Sequence, residues 1–387
     1  MVNRINRLGS FVAALAFSMV SLSAAATDID NVVFFGDSLS DTGNVWFATS
    51  GMVPPPPYFQ GSAGGAPDFT GGQWSSPEGP SWPTLFASEF GQTATPSLVS
   101  VSIANNYAWG GARTGVNPNP AATPWLDQQV AQYLAPFQVS ATSPTPETLV
   151  SIMIGGNDVA NNLGDEAALQ AGITSITTQM TNLYKQGVRQ FLISNVPDIG
   201  ATPEFQDRGS DVATFATFWT TQWNAALAAA LDELELPGAV INFFDFYTFS
   251  KDPELLTLFD NTTDACFIPP PTPSVCSDPA SYFYWDSFHP SSTSHRLLAD
   301  ALYRNLVPVR LEQLLEDVTG IGPGKSLSSK VARVQASYER DNYRAACGQL
   351  RGFTNQVDAQ AGKSLTDEEA DAFGAEASAI GEAIGCG

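Results

Sequence analysis

Ser38 stands in the run Gly36-Asp37-Ser38-Leu39-Ser40-Asp41-Thr42-Gly43-Asn44, directly after the apolar segment Val32-Val33-Phe34-Phe35. A short β-branched and aromatic run predicts a buried strand, and Gly36 ends it. Asp37 and Ser38 are helix-capping types. The sequence therefore predicts a serine just past the carboxyl end of a strand, at a helix start, with free N–H groups and a positive dipole end beside it. Such a position suits a nucleophile whose product is an oxyanion. The same residue types also make ordinary strand-to-helix caps, so the assignment depends on partners elsewhere.

A serine nucleophile needs a base, a group that orients the base, and donors for the oxyanion. The chain has two histidines, His289 and His295. Asp286-Ser287-Phe288-His289-Pro290 sets a carboxylate three residues before an imidazole. In a tight turn that spacing lets Asp286 accept the ring N–H of His289, which fixes the tautomer and stabilises the imidazolium. Pro290 and Ser291 then start a helix. His295 falls in its first turns, where a structural or rim role is expected. Two further segments offer oxyanion donors. Asn106-Tyr107-Ala108-Trp109-Gly110-Gly111-Ala112 has glycines whose N–H groups can approach a ligand closely. Gly155-Gly156-Asn157-Asp158 follows the predicted strand 149–154 and brings the Asn157 amide to its end. There is no G-x-S-x-G elbow. Nor is there a C-x-x-C, an H-E-x-x-H or a Cys/His cluster, so no metal or other cofactor is expected.

The elements that must position these groups read as an α/β domain over residues 31 to about 318. Apolar β-type runs recur at 32–35, 99–103, 149–154, 190–194 and 239–245. Helical patterns lie at 81–90, 124–138, 165–187, 211–235 and 292–316. That alternation predicts a parallel sheet covered by helices on both faces, with active groups at the carboxyl ends of the strands. Residues 51–80 form a long insertion rich in Pro, Gly and aromatics, among them Tyr58, Phe59, Phe69 and Trp74, which is expected to wall a substrate cleft or to pack on itself as a surface lid.

The N-terminus reads as an export signal over residues 1–26. Arg4 and Arg7 form a positive region, Phe11 to Leu22 an apolar one, and Ala24-Ala25-Ala26 a cleavage site, so the mature chain is expected to start near Thr27. The apolar stretch is too short for a membrane anchor. At 387 residues, 43% hydrophobic and 14% charged, the chain has enough length and apolar content for a large core plus a small module. Its formal charge of −22 disfavours nucleic acid and anionic lipid surfaces as partners. Four cysteines in an exported chain predict two disulfides. Three pairings are possible, and Cys266–Cys276 with Cys347–Cys386 is the local choice. Residues 319–325 read as a linker, and 326–387 as three short helices with a capping box at Thr366 and Glu369, a module small enough to need the Cys347–Cys386 staple. Oligomeric state is not legible.

Taken together, the blocks 36–44, 106–112, 155–158 and 286–290 resemble those of the GDSL, or SGNH, family of esterases and lipases. The stretch beginning F-T-G-G-Q-W at Phe69 and N-V-P-D-I-G-A-T-P at 195–203 are similar to further segments of its long-domain branch. The resemblance implies a flavodoxin-like three-layer α/β/α sandwich with about five parallel strands, Ser38 as nucleophile, and His289 as base oriented by Asp286. It also implies an oxyanion hole formed by the Ser38 N–H, a glycine N–H and Asn157, with Gly111 favoured and Gly110 the near alternative. The implied substrate is a small-molecule or lipid ester. Acyl transfer, or a phospholipid or acetylated carbohydrate substrate, fits the same scaffold. A reading from another class is an inactive secreted surface-binding protein. The tail segment 355–370 resembles the FIMAH-type helical module of secreted bacterial enzymes.

Overall fold

The computed structural model of the chain describes residues 29–386 apart from 62–70, 100–102, 116, 120–122 and 141. The expected export signal and Phe69 lie outside the described residues. Four parallel strands form the central sheet: β1 (Asn31–Gly36), β2 (Thr148–Met153), β3 (Gln190–Ser194) and β4 (Val240–Phe244), hydrogen-bonded in that order. The edge beyond β1 carries a fifth, irregular segment. Phe34 N–H donates to Asn105, and Tyr107 and Trp109 donate to Phe34 and Gly36. Counting this segment, the spatial order is 2-1-3-4-5, the flavodoxin-like arrangement, whose ligand sites lie at the carboxyl ends of the strands.

That edge segment corrects the sequence reading. The expected strand 99–103 lies partly outside the described residues, and Val99 and Ile103 stand in turns. The pairing is made by 105–109 instead. Two buried asparagine side chains hold it there in place of a regular ladder. Asn44 donates to the Asn106 and Ala108 carbonyls, and Asn106 donates to the Ser40 carbonyl.

Period-two alternation divides the core into two layers. Val32 and Phe34 of β1, with Leu149 and Met153 of β2, face the helices Trp82–Ser88 and Ser292–Asn305. Val33 and Phe35, with Val150 and Ile152, face the helices Leu126–Ser140, Glu166–Lys185 and Ser210–Asp232. The result is a three-layer α/β/α sandwich. The helical pattern at 292–316 is two helices, Ser292–Asn305 and Val307–Asp317, separated at Leu306. Pro308 has no N–H for the carbonyl of Arg304 and so cannot continue the first helix.

Three further helices follow a loop at 319–325: Ser326–Tyr338, Tyr343–Gln360 and Asp367–Ala383, the last opened by the capping box of Thr366 and Glu369. Their apolar faces, including Val331, Phe353 and Ile380, continue the core of the helices 292–305 and 307–317 without a break. Arg310 makes a two-pronged ion pair with Glu376 across that junction. Both local disulfides are present, Cys266–Cys276 and Cys347–Cys386. Among the described residues, no helix is long and apolar enough to cross a membrane.

Candidate active site

Ser38 lies at the carboxyl end of β1 but not at a helix N-terminus. Ser40 and Asp41 both donate to the Asp37 carbonyl, which gives a single turn. The next helix begins only at Asn44. The run 36–44 therefore supplies a tight turn and not the macrodipole the capping residues suggest. Gly36 is required by contact, because a Cβ there would lie 2.5 Å from the Met153 carbonyl oxygen. Gln129, fully buried on the helix Leu126–Ser140, clamps the same residue, accepting from Gly36 N–H at 3.0 Å and donating to its carbonyl at 2.8 Å. Sequence reasoning missed Gln129, a lone polar residue on an apolar helix face being its only signal.

Ser38 Oγ is 2.8 Å from His289 Nε2, and His289 Nδ1 is 2.7 Å from Asp286 Oδ2. Residues 251 positions apart meet because the turn 286–289 follows the strand Tyr282–Tyr284 and precedes the helix at Ser292. Asp286 organises that turn. Its Oδ1 accepts from the backbone N–H of Phe288 and of His289, at 2.7 and 2.6 Å. Burial alone would raise the Asp286 carboxyl, but the neighbouring His289 and these hydrogen bonds outweigh it and bring it down to about 2. Burial disfavours the His289 cation, yet the Asp286 charge and hydrogen bond prevail and raise it above its usual value. Asp37, beside the serine, is pushed by burial up to about 7.

His295 sits apart from this chain of contacts. It is wholly buried, accepts from the Trp82 N–H at Nδ1 and donates from Nε2 to the Trp74 carbonyl, so it is the neutral Nε2–H form. Burial holds it down at about 3.

The glycine segment and the Asn157 amide lie at the same end of the sheet. Gly110 N–H is already engaged, donating to Asp41 Oδ2 at 2.9 Å. Gly111 has φ +80, is exposed, and its N–H meets no acceptor among the described residues. Asn157, in the first turn of the helix Gly156–Asn161, donates to the Ala112 carbonyl, which leaves its second N–H free. Asp158 fixes the two segments against each other by accepting from the N–H and hydroxyl of Thr114.

An apolar pocket opens beside Ser38, lined by Met153, Val196, Phe246, Phe249, Phe283 and Phe288 among others. It is built by the carboxyl ends of the strands and by the approach to His289. The described residues of the insertion 51–80 do not line it, contrary to the cleft-wall expectation. Two of its aromatics go behind the site instead. Trp74 stacks on the His289 ring, and the Tyr58 hydroxyl donates to Asp286.

The family model "GDSL-like Lipase/Acylhydrolase" matches residues 32–302. An acetylesterase of Thermothelomyces thermophilus is 28% identical over 317 residues, 76% of this chain and 97% of that protein. A GDSL esterase/lipase of Arabidopsis thaliana is 23% identical, covering 76% of this chain and 94% of its own length. A phosphatidylcholine-sterol acyltransferase of Aeromonas hydrophila is 27% identical, covering 64% and 70%.

Proposed function

The chain belongs to the GDSL-like lipase/acylhydrolase family, and from that premise we propose that it is a secreted serine esterase that cleaves carboxylic esters through Ser38, His289 and Asp286. The observation that carries this reading is the linear contact Ser38 Oγ, His289 Nε2, His289 Nδ1, Asp286 Oδ2, at 2.8 and 2.7 Å. An ionised Asp286 accepts the Nδ1 proton, which leaves Nε2 as the lone-pair acceptor for the serine proton.

His289 removes the Ser38 proton as Oγ attacks the ester carbonyl. The carbonyl oxygen takes the negative charge and is met by the N–H groups of Ser38 and Gly111 and by the free N–H of Asn157. His289 then protonates the departing alkoxide, leaving Ser38 acylated. Water, deprotonated by His289, attacks the acyl-enzyme and releases the carboxylic acid, and the proton returns to Ser38. The pocket beside Ser38 suits an apolar acyl group, since its walls are mainly aliphatic and aromatic. An alcohol in place of the water would give acyl transfer, the reaction after which the Aeromonas relative is named. Competing alcohol acceptors separate the two by product analysis.

The export reading is supported by the leader-like residues 1–26 and by two disulfides, which persist in oxidising compartments. We assign residues 27–318 to the hydrolase domain, 319–325 to a linker and 326–387 to a helical module that extends its core.

The test is release of p-nitrophenol from short- and long-chain acyl esters by purified protein, beside Ser38→Ala. Turnover by the wild type and none by a folded Ser38→Ala variant is expected. Equal turnover by both refutes the serine mechanism.

A further inference from the structure

We propose that Tyr58 is a positioning residue for this reaction, acting on the imidazole through Asp286. The inference rests on the Ser38–His289–Asp286 reading and adds a fourth member to it. The Tyr58 hydroxyl donates to Asp286 Oδ2 at 2.6 Å, the same oxygen that receives His289 Nδ1. With two backbone N–H groups on Oδ1, the carboxylate has four donors around it in a buried site.

Tyr58 is itself held on three sides. Its ring meets Trp74, Phe267 and Trp285 edge-on, with centroids 5.7, 5.6 and 6.1 Å away. Phe267 stacks flat on Trp285 and adjoins Cys266, whose disulfide to Cys276 closes the hairpin behind the ring. Trp285 is the residue before Asp286. The insertion therefore places one polar atom in an aromatic box, and that atom is aimed at the carboxylate. A tyrosine serving only as packing would be expected to turn its hydroxyl to water or to a backbone carbonyl.

Two effects follow. A second donor on Oδ2 fixes the rotation of the carboxylate and, through it, the plane of the imidazole that faces Ser38. The same hydrogen bond also draws charge from Oδ2 and makes it a weaker base. Without the hydroxyl, Oδ2 holds the His289 proton more tightly, and the imidazolium persists to higher pH.

The experiment compares kcat/KM against pH for wild type, Tyr58→Phe, Asp286→Ala, the double variant and Ser38→Ala, with p-nitrophenyl butyrate as substrate. Tyr58→Phe is expected to lower kcat about three- to tenfold and to move the acid limb up by about 0.5 to 1 pH, as loss of a hydrogen bond to a charged group implies. KM is expected to stay within about twofold, because Tyr58 does not line the pocket. In the Asp286→Ala background the same change should add less than about 1.5-fold, since its target is gone. An unmoved acid limb, or an equal loss with and without Asp286, overturns the inference. Turnover by Ser38→Ala would instead refute the parent reading, whatever Tyr58 does. Should Tyr58→Phe fold only in part, the His289 Nδ1–H proton resonance of the folded fraction decides. It moves downfield if the hydroxyl acts through Asp286 and stays in place if it does not.

Discussion

The Trp74 indole lies over the His289 imidazole, with ring centroids 5.0 Å apart and the planes 28° from parallel. The Nε1 edge of the same indole approaches Gly110, where a Cβ would lie 2.8 Å from Nε1. One side chain of the insertion thus braces both the proposed base and the glycine segment. Its carbonyl is held from behind by His295. The face of an indole also favours a cation above it, which would support the imidazolium of the proposed mechanism.

Removing that brace is predicted to affect stability and rate together. Trp74→Ala should cost about 2 kcal/mol, less than a fully buried tryptophan because the ring is half-buried. It should also lower kcat on the order of tenfold, while Trp74→Phe retains most of both. Thermal melts and steady-state kinetics on the same preparations check this.

The two adjacent glycines should respond differently to alanine. At Gly110 the new methyl collides with Trp74 and disturbs the N–H bond to Asp41, so a large loss of stability is expected. At Gly111 the methyl meets open space, and the penalty is the positive φ alone, about 1–2 kcal/mol. Gly111→Ala should therefore fold and keep measurable turnover, because the proposed donor is a backbone N–H. Asn157→Ala removes a proposed donor outright and should reduce kcat by on the order of 10²–10³ with little change in KM.

His295 should make the fold sensitive to acid. Its folded value of about 3 lies below the ordinary 6.5, so between those limits the unfolded chain binds a proton that the folded chain refuses. Stability from this group is full above about 6.5 and falls as pH drops, by at most about 1.4 kcal/mol per pH unit. Burial raises Asp37 to about 7, and Asp41 and Asp158 to about 6, and these have the opposite sign. They favour the folded state at low pH, and that advantage is lost as pH rises through 4 to 7. Denaturant melts at pH 6.5 and 4 on wild type and His295→Gln isolate the histidine, because the three carboxylates titrate in both. His295→Gln, although less stable at pH 6.5, should lose less on acidification than wild type, and an equal or larger loss contradicts the assignment.

The Cys347–Cys386 bridge joins residues 39 apart and ties the helix Tyr343–Gln360 to the chain after Asp367–Ala383. Replacing both cysteines by serine should cost up to about 4 kcal/mol through loop entropy. Since these helices share a core with 292–317, the loss should appear as a lower melting temperature for the whole chain. At a temperature where the variant is folded, kcat should be unchanged, because the bridge touches none of the groups around Ser38.

The sequence by itself carried what depends on local order. Strand β1 and its ending at Gly36, the turn that joins Asp286 to His289, the capping box at Thr366 and the two local disulfides all follow from residues close together in the chain. The alternation of apolar runs also led to a parallel sheet with helices on both faces. What it left undecided depends on residues far apart. Asn106 and its neighbours pair with β1 through backbone hydrogen bonds and are pinned by the side chains of Asn44 and Asn106, an arrangement that carries no periodic signal. What sets the Gly110 N–H apart from that of Gly111 is a carboxylate, Asp41, about seventy positions earlier in the chain. Tyr58 and Trp74 read equally as walls of a cleft or as parts of a surface lid, because aromatic residues in a long loop say nothing of which way they face. Only the closing of the insertion over the turn 286–289 turned them inward, one onto a carboxylate and the other onto an imidazole. Composition and spacing are local quantities, whereas the direction of a side chain is decided by the surfaces that tertiary packing brings against it.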